Sequence, residues 1–157
     1  MQPHIDWIAF IREELALEVE RHYDRTRIQV DEFWAAHHRI RQQGPASNWG
    51  NLGVRLRPRR FVFSIEWFVN RFAKVRGETK VFSHALRISK NRAVDFRQAE
   101  SKLKSWELSY AGELEADFAE TRRMLDELLA IHLRLGIYER RVTDFDNYLK
   151  QPTHLPR

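Results

Sequence analysis

The sequence has no cysteine, only six glycines and five prolines among its 157 residues, and no long apolar run. Without cysteine, disulfides and thiolate metal sites are excluded, and a reducing compartment is favoured. No apolar stretch approaches the roughly 20 residues that a transmembrane helix needs. The N-terminal stretch MQPHIDWIAFIREELALEVE carries acids early and has no basic n-region, so it is not typical of a signal peptide. We therefore expect a cytoplasmic protein with no membrane partner.

The length and composition are those of one globular domain. Hydrophobic residues make up 43% of the chain, which argues against disorder. A chain of this length can bury a sizeable core without disulfides. We expect a single domain, residues 1–157, made of a helical arm (1–45), a basic β-meander (48–92), a helical region (95–149) and a loose tail (150–157).

Acidic residues are almost missing from the middle of the chain. Residues 54–92 carry eleven Lys and Arg but only two acids, a net charge of +9. Residues 1–53 and 93–157 each carry a net charge of −2. The excess positive charge of the whole chain, +5, thus comes from one quarter of its length. Such a concentration indicates an anionic partner.

The first flank of the basic segment has the spacing of an amphipathic helix. Residues 5–43 include neither glycine nor proline, and apolar residues recur there every three or four positions. His22 and Thr26 interrupt this apolar stripe, which leaves open whether a break near residue 28 divides the helix. Gly44, followed by proline, ends it.

A second helical stripe runs from Phe96 to Leu135. Asp95 and Gln98, three residues apart, resemble a capping box at its start. Gly136 predicts an end or a kink, because glycine is a weak helix former. A separate short helix is then expected over Tyr138–Leu149.

The middle of the chain alternates between apolar and polar residues, as strands do. A four-residue loop at 57–60 would place Val54 opposite Phe63, and a two-residue loop at Gly77-Glu78 would place Ala73 opposite Phe82. Both registers put the same residues on one apolar face. That face carries Leu52, Val54, Leu56, Phe61, Phe63, Ile65, Trp67, Val69, Ala73, Phe82, Leu86 and Ile88. We predict an α+β fold with a three-stranded antiparallel meander between long helices.

The opposite face of this sheet is basic and polar, so one segment can hold both strong charge and strong apolarity. We interpret it as a surface for double-stranded DNA, with Arg55, Asn70 or Arg87 as candidates for base edges. Whether Phe68 and Phe72 stack on bases or lie under loops stays open. The predicted contact residues are Arg55, Arg57, Arg59, Arg60, Asn70, Lys74, Arg76, Arg87, Lys90 and Arg92.

No catalytic site, cofactor site or metal site is predicted. The seven histidines do not combine with carboxylates at a metal-binding spacing, and there is no glycine-rich phosphate loop. Glu66 could suggest a metal nuclease, but such enzymes need two or three converging carboxylates. A pairing of Glu66 with Arg55 or Arg87 is the simpler expectation.

Three motifs and one residue pair resemble the MobI-type mobilisation proteins of conjugative elements over roughly residues 48–120. The motifs are W-G-N-L-x-V-R-x-R at Trp49–Arg57, S-I-E-W-F-x-N-R-F at Ser64–Phe72 and K-V-F-S-H-x-L-R at Lys80–Arg87, and the pair is Trp106-Glu107. The resemblance implies a non-enzymatic accessory protein that acts at an origin of transfer. A separate relaxase would then nick the DNA, and this relaxase or another transfer protein is the expected protein partner.

Two other functions remain open, a helical adaptor whose basic patch is incidental and an RNA-binding regulatory module. The long helices also overhang the predicted strands, and their apolar stripe needs cover. A homodimer through Ile8, Ile11, Leu15 and residues 125–135 would provide it. A kinked first helix that folds back on the last one would provide it equally well.

Overall fold

The computed structural model describes residues 3–151, with side-chain environments from residue 7. Two long helices flank a three-stranded antiparallel sheet of order β1-β2-β3, which confirms the predicted α+β fold and its meander. The elements are α1 (Pro3–Gln43), a 3-10 turn (Ala46–Asn48), β1 (Leu52–Pro58), β2 (Phe63–Val75), β3 (Glu78–Ala85), a 3-10 segment (Phe96–Lys102) and α2 (Ser105–Leu149).

α1 is one unbroken helix of 41 residues, so no break occurs near residue 28. The polar positions of its stripe are buried without interrupting it. The hydroxyl of Thr26 donates a hydrogen bond to the carbonyl oxygen of His22, one turn earlier, at 2.7 Å. This bond satisfies the buried hydroxyl inside the helix.

α2 differs from its prediction at both ends. Asp95 caps the 3-10 segment instead, where its carboxylate accepts the backbone N–H of Arg97 at 3.0 Å, and α2 begins only at Ser105. The separate short helix predicted over Tyr138–Leu149 is wrong, because α2 continues through Gly136. A helical glycine costs about 1 kcal/mol, too little to end a helix that packs against a neighbour on both sides of it.

α1 and α2 pack against each other in antiparallel orientation. Arg12 forms an ion pair with Glu139 at 2.6 Å, and further along α1 Gln29 donates a hydrogen bond to Asp117 at 2.8 Å. Three residues of the predicted dimer interface are buried within the single chain: Ile8, Leu15 and Leu125. They could contact a second chain only if the helix pair opened.

The register of β1 against β2 differs from the prediction by four residues. Val54 lies opposite Trp67, four positions beyond its predicted partner. The difference arises at Pro58, which stays paired in β1 opposite Phe63, as a proline can in an edge strand. The loop therefore covers residues 59–62.

The register of β2 against β3 differs by two residues. Ala73 lies opposite Lys80 and not opposite Phe82. The turn falls at Arg76 and Gly77, whose φ angles of 54° and 83° suit a type I′ hairpin. Both shifts are even-numbered, so every side chain keeps its predicted face.

The apolar face of the sheet forms the core. Phe63, Ile65 and Trp67 are buried, as predicted. The ring of Trp67 lies 5.2 Å from that of Phe33 in α1 and 5.7 Å from that of Phe118 in α2, measured between centroids. Both helices therefore cover the same strand residue.

The second half of β2 extends beyond this cover. β1 pairs with β2 only up to Val69, whereas β3 pairs with β2 from Phe68 to Val75. As a result Phe82, predicted to lie in the core, is exposed. Leu86, also predicted to lie on the core face, is half-buried opposite Trp67. None of the described helices is long and apolar enough to cross a membrane.

Candidate nucleic-acid interface

The outer parts of β2 and β3 form a two-stranded ribbon, residues 70–85. Its strands are joined by the tight turn at Arg76 and Gly77. Every residue of β3 is exposed, and the body of the protein covers neither face of the ribbon near its turn. A two-stranded ribbon of this kind can enter the major groove of DNA.

The ribbon lies at the end of the molecule where α2 begins. The ring of Phe61, just before β2, stacks on His132 at 3.8 Å, and Trp67 contacts Glu115 at 2.7 Å. β2 and α2 therefore run in opposite directions. Beyond Val69, β2 extends past the first residues of α2 and away from the other end of the molecule, where α1 begins and α2 ends.

The ribbon carries cations without matching acids. Between residues 70 and 87, which are the ribbon and the two residues that follow it, there are five Lys and Arg and one acid, Glu78. The five cations are Arg71, Lys74, Arg76, Lys80 and Arg87. All five are exposed, and in the described part of the chain none forms an ion pair. Their charge is thus fully available to an anionic ligand.

The ribbon also exposes apolar side chains on both faces. Phe72 pairs across the strands with Val81 on one face, and Phe82 pairs with Arg71 on the other. Phe72 is 52% exposed and Phe82 is 44% exposed. Aromatic rings between cations are the combination that contacts bases and sugars while the cations contact phosphates.

A second group of cations, the arginine cluster (Arg55, Arg57 and Arg59), surrounds a single acid. Their guanidinium groups lie 3.0, 3.1 and 3.1 Å from the carboxylate of Glu66. The expected pairing of Glu66 with Arg55 is present. The carboxylate neutralises one of the three positive charges and holds all three guanidinium groups in place. The cluster is therefore a weaker anion site than the ribbon, but a more rigid one.

The remaining predicted contact residues are dispersed. Arg60 and Lys90 are exposed. Arg92 forms an ion pair with Asp126 at 2.8 Å, and its φ of 68° belongs to a tight turn. Asn70 accepts a hydrogen bond from the hydroxyl of Ser83 at 2.7 Å, which ties the two strands of the ribbon together.

Phe68 is not available for stacking. It is 8% exposed, the guanidinium of Arg55 covers its ring at 4.9 Å, and Trp34 packs beside it at 6.4 Å. Its ring occupies the space that a side chain at Gly53 would need, so only glycine fits opposite it. Of the two phenylalanines left open by the sequence, Phe72 alone can meet a ligand.

The sequence reasoning left two ribbon cations out of the predicted contact residues. Arg71 lies on the face that is apolar further down β2, and that face is covered only as far as the helices extend. Lys80 lies opposite Ala73 on the same face. The length of β2, 13 residues against 7 for β1, is the signal that could have identified them.

Two buried glutamates, Glu107 and Glu115, connect the start of α2 and the core residue Trp67 to neighbouring elements. Glu107 is fully buried, and its carboxylate accepts the backbone N–H of Leu52 at 2.6 Å and that of Lys104 at 2.8 Å. It also lies 3.7 Å from His37. Burial lowers the pKa of His37 to about 4 and raises that of Glu107, so proximity to an acid does not charge this histidine.

Glu115 is the centre of a second buried network. It accepts the indole N–H of Trp67 and the backbone N–H of Val94, each at 2.7 Å. It also pairs with Arg122 at 2.7 Å, and Arg122 donates to the carbonyl oxygen of Ile65 at 3.2 Å. Every charge in this network has a partner, which is the condition for a buried ion pair to be tolerated.

These buried groups join elements and do not form an open reaction site. Across the described residues, no three His, Asp or Glu side chains lie close enough to hold a metal ion. Gly50 packs directly against this buried group at the start of α2, because a side chain there would overlap the Glu107 carboxylate and the Trp106 ring. The indole N–H of Trp106 donates to the carbonyl oxygen of Asn48 at 3.0 Å. These motif residues therefore have structural roles.

The family model described as MobI protein matches residues 12–136, which is most of the chain. No curated protein and no solved structure matches this chain significantly.

Proposed function

This chain belongs to the MobI family and is thus a mobilisation-related protein, and from this premise we propose that it binds double-stranded DNA as a non-catalytic accessory protein. In this proposal it acts at an origin of transfer in the cytoplasm, beside a separate relaxase that cuts the DNA. The ribbon is the principal contact surface and the arginine cluster a secondary one.

One observation carries the proposal, namely the unpaired charge of the ribbon. A ribbon that served only to extend the sheet would balance its cations with acids, as the helices do at Arg21 with Glu18 and Arg27 with Asp31. Five cations beside one acid favour binding to a polyanion. Neutralising about five phosphates gives a slope of log K against log salt near −4.5 for each bound ribbon.

The test is a binding titration of three charge-neutralised ribbon positions, Arg71→Gln, Lys74→Gln and Lys80→Gln, in one variant. We expect the salt slope for duplex DNA to become less steep by about three for each bound chain, because each lost phosphate contact removes about one. The fold should be unchanged, since these side chains are exposed and unpaired.

The matched control is Arg21→Gln, Arg27→Gln and Arg39→Gln on the exposed surface of α1, which makes the same change in net charge. The slope should stay as in the unaltered protein. Equal losses in both variants would mean that net charge alone governs binding and that the ribbon is not a site.

The same titration separates the other two functions. Tighter binding to RNA than to a duplex of the same sequence would favour the regulatory RNA-binding module. No salt-dependent binding to either nucleic acid would favour the helical adaptor. A scrambled duplex beside an origin-of-transfer duplex then measures how much of the affinity depends on sequence.

A further inference from the structure

The last part of α2 carries a second apolar stripe that the rest of the protein covers only in part. Its residues recur at alternating intervals of four and three, which is the heptad spacing of a coiled coil. They are Ile131, Leu135, Tyr138, Val142, Phe145 and Leu149, and we call this row the seam. The seam is about 28 Å long at about 1.5 Å per residue.

α1 covers only one edge of the seam. Glu139, beside the seam, pairs with Arg12, and the ring of Tyr138 lies 5.9 Å from that of Trp7 in α1. Leu135 and Val142 are half-buried. The other seam residues stay exposed: Ile131 is 45% exposed, Phe145 60% and Leu149 63%, and Tyr138 keeps 46% of its surface exposed beside Trp7. Large apolar residues exposed in a regular row mark an interaction surface and not isolated surface positions.

The charges beside the seam identify its partner. With Leu135 and Val142 at heptad position a, the preceding g positions are Arg134 and Arg141. The e positions that follow Tyr138 and Phe145 are acidic, Glu139 and Asp146. In a parallel pair of helices, a g residue meets the e residue five positions further along the other chain.

Two copies of this chain therefore complement each other in parallel. Arg134 would meet Glu139 of the second copy, and Arg141 would meet its Asp146. An antiparallel pair would instead place arginine against arginine and acid against acid, which is repulsive. We infer that the protein forms a parallel homodimer through the seam of α2.

This interface shares only Ile131 and Leu135 with the one expected from the sequence, because Ile8, Leu15 and Leu125 are already buried within one chain. It lies at the end of the molecule opposite the ribbon. A parallel arrangement then directs both ribbons the same way, while leaving them free. The inference does not depend on the proposed function, because the dimer forms without DNA.

Sedimentation of the full chain without DNA is the first measurement, over a range up to tens of micromolar. We expect a reversible dimer. Replacing Ile131 and Phe145 with lysine should give a monomer at all these concentrations. The matched control, lysine at Leu133 and Ile137, removes two equally exposed apolar residues of the same helix outside the seam and should leave the dimer intact. An unaltered protein that stays monomeric throughout, or equal effects of both double variants, would overturn the inference.

The orientation is tested by charge reversal beside the seam. Arg141→Glu should weaken the dimer by about tenfold or more, because both of its pairs with Asp146 become repulsive. Arg140→Glu, the same change on the outer side of the helix, should have no effect. Mixing Arg141→Glu with Asp146→Arg should restore association as a heterodimer. Failure of the mixture to associate would reject this charge pairing.

A cysteine provides an independent reading of orientation, since the natural chain has none. Val142→Cys places one thiol in each helix at the same height of a parallel seam. Mild oxidation should then yield a covalent dimer in high proportion. A variant that sediments as a dimer but does not cross-link would exclude the parallel arrangement.

Discussion

At the scale of the residue, buried acids have a structural role that acids at the surface do not have. Glu107 and Glu115 are buried and hold backbone N–H groups of Leu52 and Val94. Neither role could be predicted from the sequence, because a helical glutamate among charged neighbours is typical of a solvated face. Arg122, in the same helix, is likewise buried, with 2% of its surface exposed. Burial of a charge depends on partners from distant parts of the chain, which local patterns do not contain.

Because Glu115 is buried and Glu139 is partly exposed, the same substitution at these two positions of α2 should lower the free energy of unfolding by different amounts. Glu115→Gln removes the charge opposite the buried Arg122 and should lower the free energy of unfolding by about 3 kcal/mol. Glu139→Gln breaks the pair with the partly exposed Arg12 and should cost less than about 1 kcal/mol. Urea denaturation measures both. Similar losses in the two variants would mean that the Glu115 network contributes no more than a surface ion pair.

At the scale of the element, the sequence predicted which face each strand residue occupies but not where each strand ends. Alternation determines the face, and an even error in register, as at Val54 and Ala73, leaves it unchanged. The extent of α2 and the reach of β2 beyond β1 depend on packing between elements. For the same reason Arg71 was left out of the predicted contact residues. The ribbon is the part of the candidate site that sequence alone could not delimit.

The ribbon as an element should be dispensable for folding and required for binding. Deleting two facing pairs, Phe72 with Val81 and Ala73 with Lys80, shortens it by about 6.6 Å and preserves alternation and the turn. We expect the urea midpoint to change little, because most of the deleted side chains are exposed. DNA affinity should fall by about tenfold or more, since a stacking ring and a phosphate contact are both lost. A large loss of stability with unchanged affinity would contradict this division of roles.

At the scale of the whole molecule, the two surfaces without partners lie at opposite ends. The ribbon extends past the start of α2, and the seam occupies its last turns. α2 is 45 residues long, about 67 Å at about 1.5 Å per residue, so the surfaces are well separated. Neither the dimer nor the bound DNA would then obstruct the other, and a dimer would present two ribbons to one duplex.

This arrangement predicts that dimer formation steepens the salt dependence of DNA binding, if both the ribbon and the seam act as proposed. Two ribbons on one duplex can neutralise about ten phosphates, for a slope near −9, against about −4.5 for a single ribbon. Arg141→Glu, far from the ribbon, should therefore reduce the slope by about half. It should also change the stoichiometry from two chains per duplex to one. Arg140→Glu makes the same change in net charge on the same helix and should keep both values. Fluorescence titrations at several salt concentrations, with sedimentation of the complexes, measure slope and stoichiometry together. If Arg141→Glu gave a monomer whose slope equalled that of the unaltered protein, the two ribbons of a dimer would not share one duplex.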